Sequence, residues 1–182
     1  MAHWKLLLSE PVLVTPWITV HKNRYKIEGD EYIDDYYIVK RNDFALIVAT
    51  YQEKLLLVKQ YRPATNKDYL ALPAGFLKEG ESPIECAKRE LLEETGFSAE
   101  NSKLIGELHP LPGYIQSNAY IVTCNALPVD NSERDMLEIS EVHLMSWADI
   151  LNKIVLGKIN EMQAVSAILL AKEFDSSKRK VT

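Results

Sequence analysis

Cysteine is scarce: Cys86 and Cys124 are the only two in 182 residues. That excludes the disulfide framework of a small secreted scaffold and suits buried thiols in a reducing compartment. No long apolar run occurs either. Leu6 to Leu8 stops at Ser9 and Glu10, short of a signal-peptide core and of a membrane span. Positive charge is in the minority, 21 Lys plus Arg against 26 Asp plus Glu for a net charge of -5. The chain therefore lacks the footprint of proteins that coat nucleic acid by releasing counterions. Repeats with periods of roughly 20–50 residues and low-complexity tracts are absent, which removes solenoids, propellers and disordered scaffolds. With 47% hydrophobic and 26% charged residues, the composition fits one globular domain, with or without a small appendage, in the cytoplasm.

Periodicity supplies the organisation. Residues 12 to 20, 23 to 28 and 34 to 40 are rich in β-branched and aromatic side chains and read as a small antiparallel sheet. Beyond Arg41-Asn42-Asp43 the pattern changes. Phe44 to Val48 and Leu55 to Val58 are continuous apolar runs, as expected of central strands covered on both faces, with Gln52-Glu53-Lys54 turning between them. A boundary is expected there, separating 1–42 from 43–182. Tyr69 to Leu72, Leu104 to Leu108, Ala119 to Cys124 and Val142 to Ser146 read as further strands, and 147 to 155 and about 159 to 174 as helices. One helix has sharp ends: Ser82 as N-cap, Pro83 in the first turn, Glu85 completing a capping box and Gly96 as the left-handed stop predict a helix over 83–95. Helices alternating with central strands imply a layered α/β core.

That helix is acidic. Six acids lie between Glu79 and Glu94 against Lys88 and Arg89, and Glu90 and Glu94 stand one turn apart with Glu93 beside them. Like charges at this spacing cost about 0.2–0.5 kcal/mol per pair. Clustered carboxylates with no neighbouring His or Cys ligands suit a hard, oxygen-seeking ion such as Mg²⁺, which grips phosphate oxygens. The plainer alternative is a solvated charged face.

Gly75, five residues, Glu81, seven residues, then Arg89-Glu90-Leu91-Leu92-Glu93-Glu94-Thr95-Gly96-Phe97 resembles the signature of the Nudix hydrolases at every defined position. A chance match is on the order of 10⁻⁸ per register at ordinary residue usage. The resemblance implies an α/β/α sandwich with a mixed sheet, preceded here by the N-terminal antiparallel sheet. It also implies a loop-helix-loop that binds divalent metal, Mg²⁺ or alternatively Mn²⁺, and hydrolyses a nucleoside diphosphate linked to another moiety. Glu90 and Glu94 are then metal ligands together with the Ala74 carbonyl, Glu93 is the next acid, and Glu81 and Arg89 brace the loop as a charge pair. Gly75 and Gly96 allow tight backbone turns.

Outside the signature, Gln60-Tyr61-Arg62-Pro63, Leu72-Pro73-Ala74-Gly75 and Pro112, sixteen residues past Gly96, are similar to ADP-ribose pyrophosphatases and related nucleoside diphosphate sugar hydrolases. In that group the N-terminal sheet is commonly exchanged across a homodimer, and its aromatics stack on the base, which by position falls to Trp17 and Tyr36. Relatives can have a larger ring at Tyr36, and aromatics in strands also serve as core packing. Arg41 and Arg62 are candidate phosphate forks, and Tyr114 a wall for the sugar. The base that takes water's proton is expected in 133–141, Glu138 first and Glu141 second. The alternatives are hydrolysis of nucleoside triphosphates, dinucleoside polyphosphates or RNA 5′ ends, or a non-catalytic nucleotide-sugar sensor.

Overall fold

The computed structural model describes residues 4–29, 31–130 and 139–179. In chain order its elements are β1 (Lys5–Val14), β2 (Thr19–Lys26), β3 (Tyr32–Lys40), β4 (Phe44–Tyr51), β5 (Lys54–Arg62), β6 (Lys67–Ala71), β7 (Ala74–Phe76), α1 (Pro83–Thr95), β8 (Phe97–Leu108), β9 (Ile115–Gln116), β10 (Ala119–Pro128), β11 (Ile139–Met145), α2 (Trp147–Val155) and α3 (Met162–Arg179). They fall into two units. One comprises Met1–Asp43 and His109–Asn118, the other Phe44–Leu108 and Ala119–Thr182. No helix among the described residues is long and apolar enough to cross a membrane.

In the first unit β1, β2 and β3 pair antiparallel, and β9 adds a short parallel edge to β3. The expected strand over 12–20 is in fact two strands. Pro16 has no N–H to offer a ladder, and Thr15 organises a turn there: its hydroxyl accepts from the Trp17 and Ile18 amides at 3.2 and 2.9 Å. Trp17 is therefore a turn residue, not a strand residue. The strand preceding the turn starts at Lys5, and all ten residues of β1 are exposed, Leu6, Leu8 and Leu13 included. Segment 109–118 belongs to this unit although it lies far along the chain. Its link is β9 beside β3, aided by the Tyr114 carbonyl accepting from the Val39 amide at 2.8 Å.

The second unit is built on a mixed seven-stranded sheet ordered β11-β5-β4-β10-β8, with β6 on β5 and β7 on β4. The parallel pair is β4 with β10. Strand alternation sends side chains to opposite faces, and β4 shows what each face meets. Phe44, Leu46 and Val48 join Ile150 of α2 and Ala164, Ala167 and Ile168 of α3 in one core, while Ala45, Ile47 and Ala49 join Cys86, Ala87 and Leu91 of α1 in another. Helices cover both faces, hence the continuous apolar run.

The β4–β5 hairpin turns at Gln52 and Glu53, both at positive φ (48° and 61°), as a right-twisted two-residue turn requires. It stays paired over only two positions, Thr50 with Leu55 and Tyr51 with Lys54. Beyond them the strands part, and β7 takes the vacated edge of β4 while β6 takes that of β5. This splaying sets Ala74-Gly75 beside the acidic helix. β7 and β9, of three and two residues, were not expected from the sequence, because segments that short carry no periodicity of their own.

Candidate active site

The acidic helix is held at both ends by its own side chains. The Ser82 hydroxyl accepts from the Glu85 amide at 3.3 Å and Glu85 Oε2 accepts from the Ser82 amide at 2.9 Å, a closed capping box. At the far end Gly96 takes φ 76° and its amide donates to the Leu92 carbonyl at 3.0 Å. Cys86, Ala87, Leu91 and Thr95 are buried, which orients the helix. Ile84, three residues before Ala87, is only half-buried.

Glu90 and Glu94 both turn toward β7. Glu94 Oε2 accepts from the Ala74 amide at 3.2 Å. The Glu90 carboxylate lies on the Gly75 backbone so closely that a Cβ at position 75 would fall 1.9 Å from its Cδ. Gly75 is thus required by the approach of Glu90. Gly75→Ala is expected to push that carboxylate out of place, lowering turnover at least tenfold and weakening the dependence on divalent metal, at a stability cost of about 1–3 kcal/mol. Steady-state kinetics against metal concentration, beside a urea titration, check it. Wild-type kinetics would remove the constraint.

Arg89 ties the loop to the helix. Its Nε and Nη2 meet Glu81 Oε1 and Oε2 at 2.8 and 2.9 Å, a bidentate fork, while Nη1 reaches Glu90 and, at 3.1 Å, Glu93, and Nη2 also donates to the Phe76 carbonyl at 3.1 Å. Arg89's hydrogen bonds hold the Glu81 carboxyl down to about 2 against the opposing effect of burial. Burial dominates at Glu90 and raises its pKa, with Arg89 acting the other way. For Glu81 the unfolded chain titrates near 4.5. The stabilisation from its lowered pKa is therefore complete above about pH 4.5 and fades as pH falls toward 2. Urea midpoints measured from pH 6 to pH 2.5 are expected to drop within that window, and a smaller drop in Glu81→Gln is the check.

The expected metal ligands meet a plain chemical test. Among the described residues no group of three or more His, Cys, Asp or Glu side chains gathers in metal-holding geometry. Two carboxylates converging on the backbone of the short strand β7 suit Mg²⁺, which binds through one or two carboxylates and keeps the rest of its shell for water and phosphate oxygens. Glu93, half-exposed, is engaged by Arg89.

The remaining expected residues are spread over both units. Within the second, Arg62 ends β5 and its Nη2 pairs with Glu161 at 3.3 Å. Glu141 on β11 stands opposite Lys59 in the β5 ladder, accepts from its Nζ at 3.0 Å and lies 3.2 Å from His143 Nε2. The Lys59 hydrogen bond lowers its pKa, which makes it a weaker base. Glu138 lies outside the described residues. Within the first unit Trp17 is 77% exposed at the β1–β2 turn. Tyr36 donates to the Gly113 carbonyl and meets Trp4 and Tyr25 edge-on, centroids 5.6 and 5.7 Å away, so it is part of an aromatic cluster. Arg41 is half-buried, its pKa lowered by desolvation, and Tyr114 is half-exposed. Sequence reasoning missed the Phe76 carbonyl as a support for Arg89, Lys59 as the partner of Glu141, and the Cys86 thiol, which donates to the Gly75 carbonyl at 3.4 Å. A register prediction for β5 and β11 was the available signal for the second.

A family model described as NUDIX domain matches residues 40–165, more than half of the chain. The ADP compounds hydrolase NudE of Escherichia coli (strain K12) is 30% identical over 131 residues, covering 71% of this chain and 69% of that protein. An ADP-ribose pyrophosphatase of Bacillus subtilis (strain 168) is 32% identical over 101 residues, covering 56% of this chain; the chain spans 55% of that relative's length. Among solved structures, one titled as the crystal structure of ADP compounds hydrolase superposes with a TM-score of 0.79 at 23% identity, covering 96% of this chain and 95% of that one, a likeness of fold.

Proposed function

Because the chain belongs to the Nudix family, we propose that it hydrolyses the pyrophosphate bond of ADP-ribose or another nucleoside diphosphate sugar, with Mg²⁺, to a nucleoside monophosphate and a sugar phosphate. The observation that carries this reading is the convergence of Glu90 and Glu94 on Ala74-Gly75, braced by Arg89. The names of the Escherichia and Bacillus relatives support the substrate class.

In the reaction a water oxygen bonds to one phosphorus, the bridging P–O bond breaks, and the water proton passes to a base, leaving two phosphate monoesters. Glu90, Glu94 and the Ala74 carbonyl would hold Mg²⁺, which when bound neutralises phosphate charge and acidifies water. Arg89 keeps Glu90 placed, and Glu81 keeps Arg89 placed. Arg62, Arg41 and Tyr114 are the proposed phosphate and sugar contacts, and Trp17 and Tyr36 the proposed base contacts. Glu138 is the proposed base, since Glu141 is engaged by Lys59. Glu138→Gln is expected to lower kcat by roughly 10²–10⁴-fold with KM little changed; wild-type kcat would move the role to the helix.

The partner proposed is a second copy of the chain. β1 is exposed over its whole length and carries two apolar stretches, with Leu6, Leu7, Leu8 and Val14 at 44–69% exposure, a surface that an isolated edge strand rarely leaves open. Sedimentation at micromolar concentration is expected to give a dimer, and a monomer would overturn it. Two buried cysteines and the acidic balance support a cytoplasmic setting. The activity test offers ADP-ribose, UDP-, GDP- and ADP-linked sugars, ATP and a dinucleoside polyphosphate side by side with Mg²⁺. AMP plus ribose 5-phosphate supports the proposal. Turnover confined to ATP or the dinucleotide replaces the substrate class, and tight binding without turnover makes the chain a sensor.

A further inference from the structure

β7 is three residues long, pairs with β4 over three positions and has glycine at its centre, so it does little to restrain its own backbone. Side chains of α1 supply a restraint for each of its residues. Glu94 Oε2 accepts from the Ala74 amide at 3.2 Å, the Cys86 thiol donates to the Gly75 carbonyl at 3.4 Å, and Arg89 Nη2 donates to the Phe76 carbonyl at 3.1 Å. Two of the three have other partners to serve. Glu94 is a proposed metal ligand, and Arg89 Nη2 also donates to Glu81 at 2.9 Å. Cys86 differs. It is fully buried, and a thiol is a poor ligand for a hard cation, so Mg²⁺ at the carboxylates leaves its bond to Gly75 unclaimed. Its sulfur also accepts from Arg89 Nη2 at 3.7 Å, which joins the strand to the Arg89 brace through one atom. Cys86 stands about one turn before Glu90, whose carboxylate lies on Gly75 itself.

We propose that Cys86 is a positioning residue for the metal site: its thiol fixes the Gly75 peptide, so that the Ala74 carbonyl and the Glu90 carboxylate face the cation in a set arrangement. The proposal rests on the hydrolase reading for the identity of the metal ligands. An S–H···O bond is weak, but it acts on a glycine, whose backbone no side chain restrains, and a small energy there moves the geometry of two ligands. Packing and hydrogen bonding separate cleanly at this position. Cys86 sits in an apolar cluster with Ala45, Ile47, Ala87 and Leu91, so an apolar side chain of similar volume fills the same space and leaves the Gly75 carbonyl without its donor from α1.

The test uses the full chain without substrate and Mn²⁺ as the probe, free Mn²⁺ being read by electron paramagnetic resonance, with a urea titration of each preparation. Cys86→Val keeps the volume and removes the donor, whereas Cys86→Ala removes both. Each is expected to weaken Mn²⁺ binding at least threefold under conditions where the urea curve shows it fully folded. A Cys86→Val protein that binds Mn²⁺ within threefold of wild type would reduce Cys86 to core packing and overturn the proposal. If neither variant folds, the S–H stretch of the wild-type thiol decides. The infrared band that persists in Cys124→Ala belongs to Cys86, and saturating Mg²⁺ is expected to shift it, because a cation on the Ala74 carbonyl pulls on the peptide that the thiol holds. An unmoved band would also overturn the proposal. Hydrolysis of nucleotide sugars with unchanged Mn²⁺ binding in the variants would sink the role of Cys86 alone. Weakened Mn²⁺ binding in the variants, with no turnover of any nucleotide by wild type, would sink the proposed activity alone, and a wild-type protein that binds no Mn²⁺ would remove the metal site and with it this proposal.

Discussion

Glu94→Gln is expected to cost on the order of 10²-fold or more in kcat and to raise the Mg²⁺ concentration needed for half-maximal rate, with excess Mg²⁺ restoring activity only in part. The reasoning separates charge from shape. Glu94 Oε2 accepts from the Ala74 amide at 3.2 Å, and the carbonyl of a glutamine in the same rotamer accepts from the same donor. The loop stays where it is, so stability should change by less than about 1 kcal/mol. What the amide lacks is the negative charge that a hard cation requires. Kinetics over a Mg²⁺ series, with a urea titration of the same preparation, distinguishes a ligand from a structural tether. Unchanged Mg²⁺ dependence would end the ligand assignment, and a large stability loss would recast Glu94 as a loop anchor.

Arg89→Met carries the largest stability effect, about 2–4 kcal/mol of destabilisation. Removing one partner of a fully buried pair costs about 3–5 kcal/mol, and the lower figure allows for 20% exposure of Arg89 and 13% of Glu81. Methionine retains the apolar stem and removes the fork, leaving Glu81, Glu90 and Glu93 without their shared cation and the Phe76 carbonyl without its donor. Glu81 then loses the contact that depresses its pKa. The acid-induced fall in stability should shrink accordingly, because less carboxylate stabilisation remains to be lost between pH 4.5 and 2. Activity should fall with it, since Glu90 loses its brace. Arg89→Lys is expected to recover little, as a single ammonium cannot reproduce a bidentate fork that also reaches Glu90, Glu93 and the Phe76 carbonyl. A lysine variant as stable as wild type would refute the bidentate account.

Both predictions concern residues whose spacing the sequence displays. Ser82, Pro83, Glu85 and Gly96 delimit the helix through bonds that span three or four residues, so their effect is local. Once those ends are set, the 3.6-residue period puts Glu90 and Glu94 on one side without reference to the rest of the chain. The run Phe44 to Val48 similarly announces a strand covered twice, and both faces of β4 are indeed buried. Elsewhere local pattern misleads. Val12 to Val20 looks uniformly β-forming, yet Thr15 and Pro16 break it, because one hydroxyl serving two amides outweighs strand propensity there.

The amino-acid sequence by itself determined the acidic helix, its caps, the family signature and the central strands, because each depends on residues a few positions apart and on hydrogen bonds the segment makes with itself. The tertiary structure decided why position 75 must be glycine, a matter of the Glu90 carboxylate lying on it from the next element. It also decided the pairing of β7 with the edge that the β4–β5 hairpin vacates, and the joining of 109–118 to the N-terminal sheet. The hydrogen bond from the Asn118 amide to the Asp43 carboxylate bridges 75 residues of sequence. Such contacts follow from how the chain closes on itself, and no periodicity along a single segment encodes which distant edge or side chain will meet it.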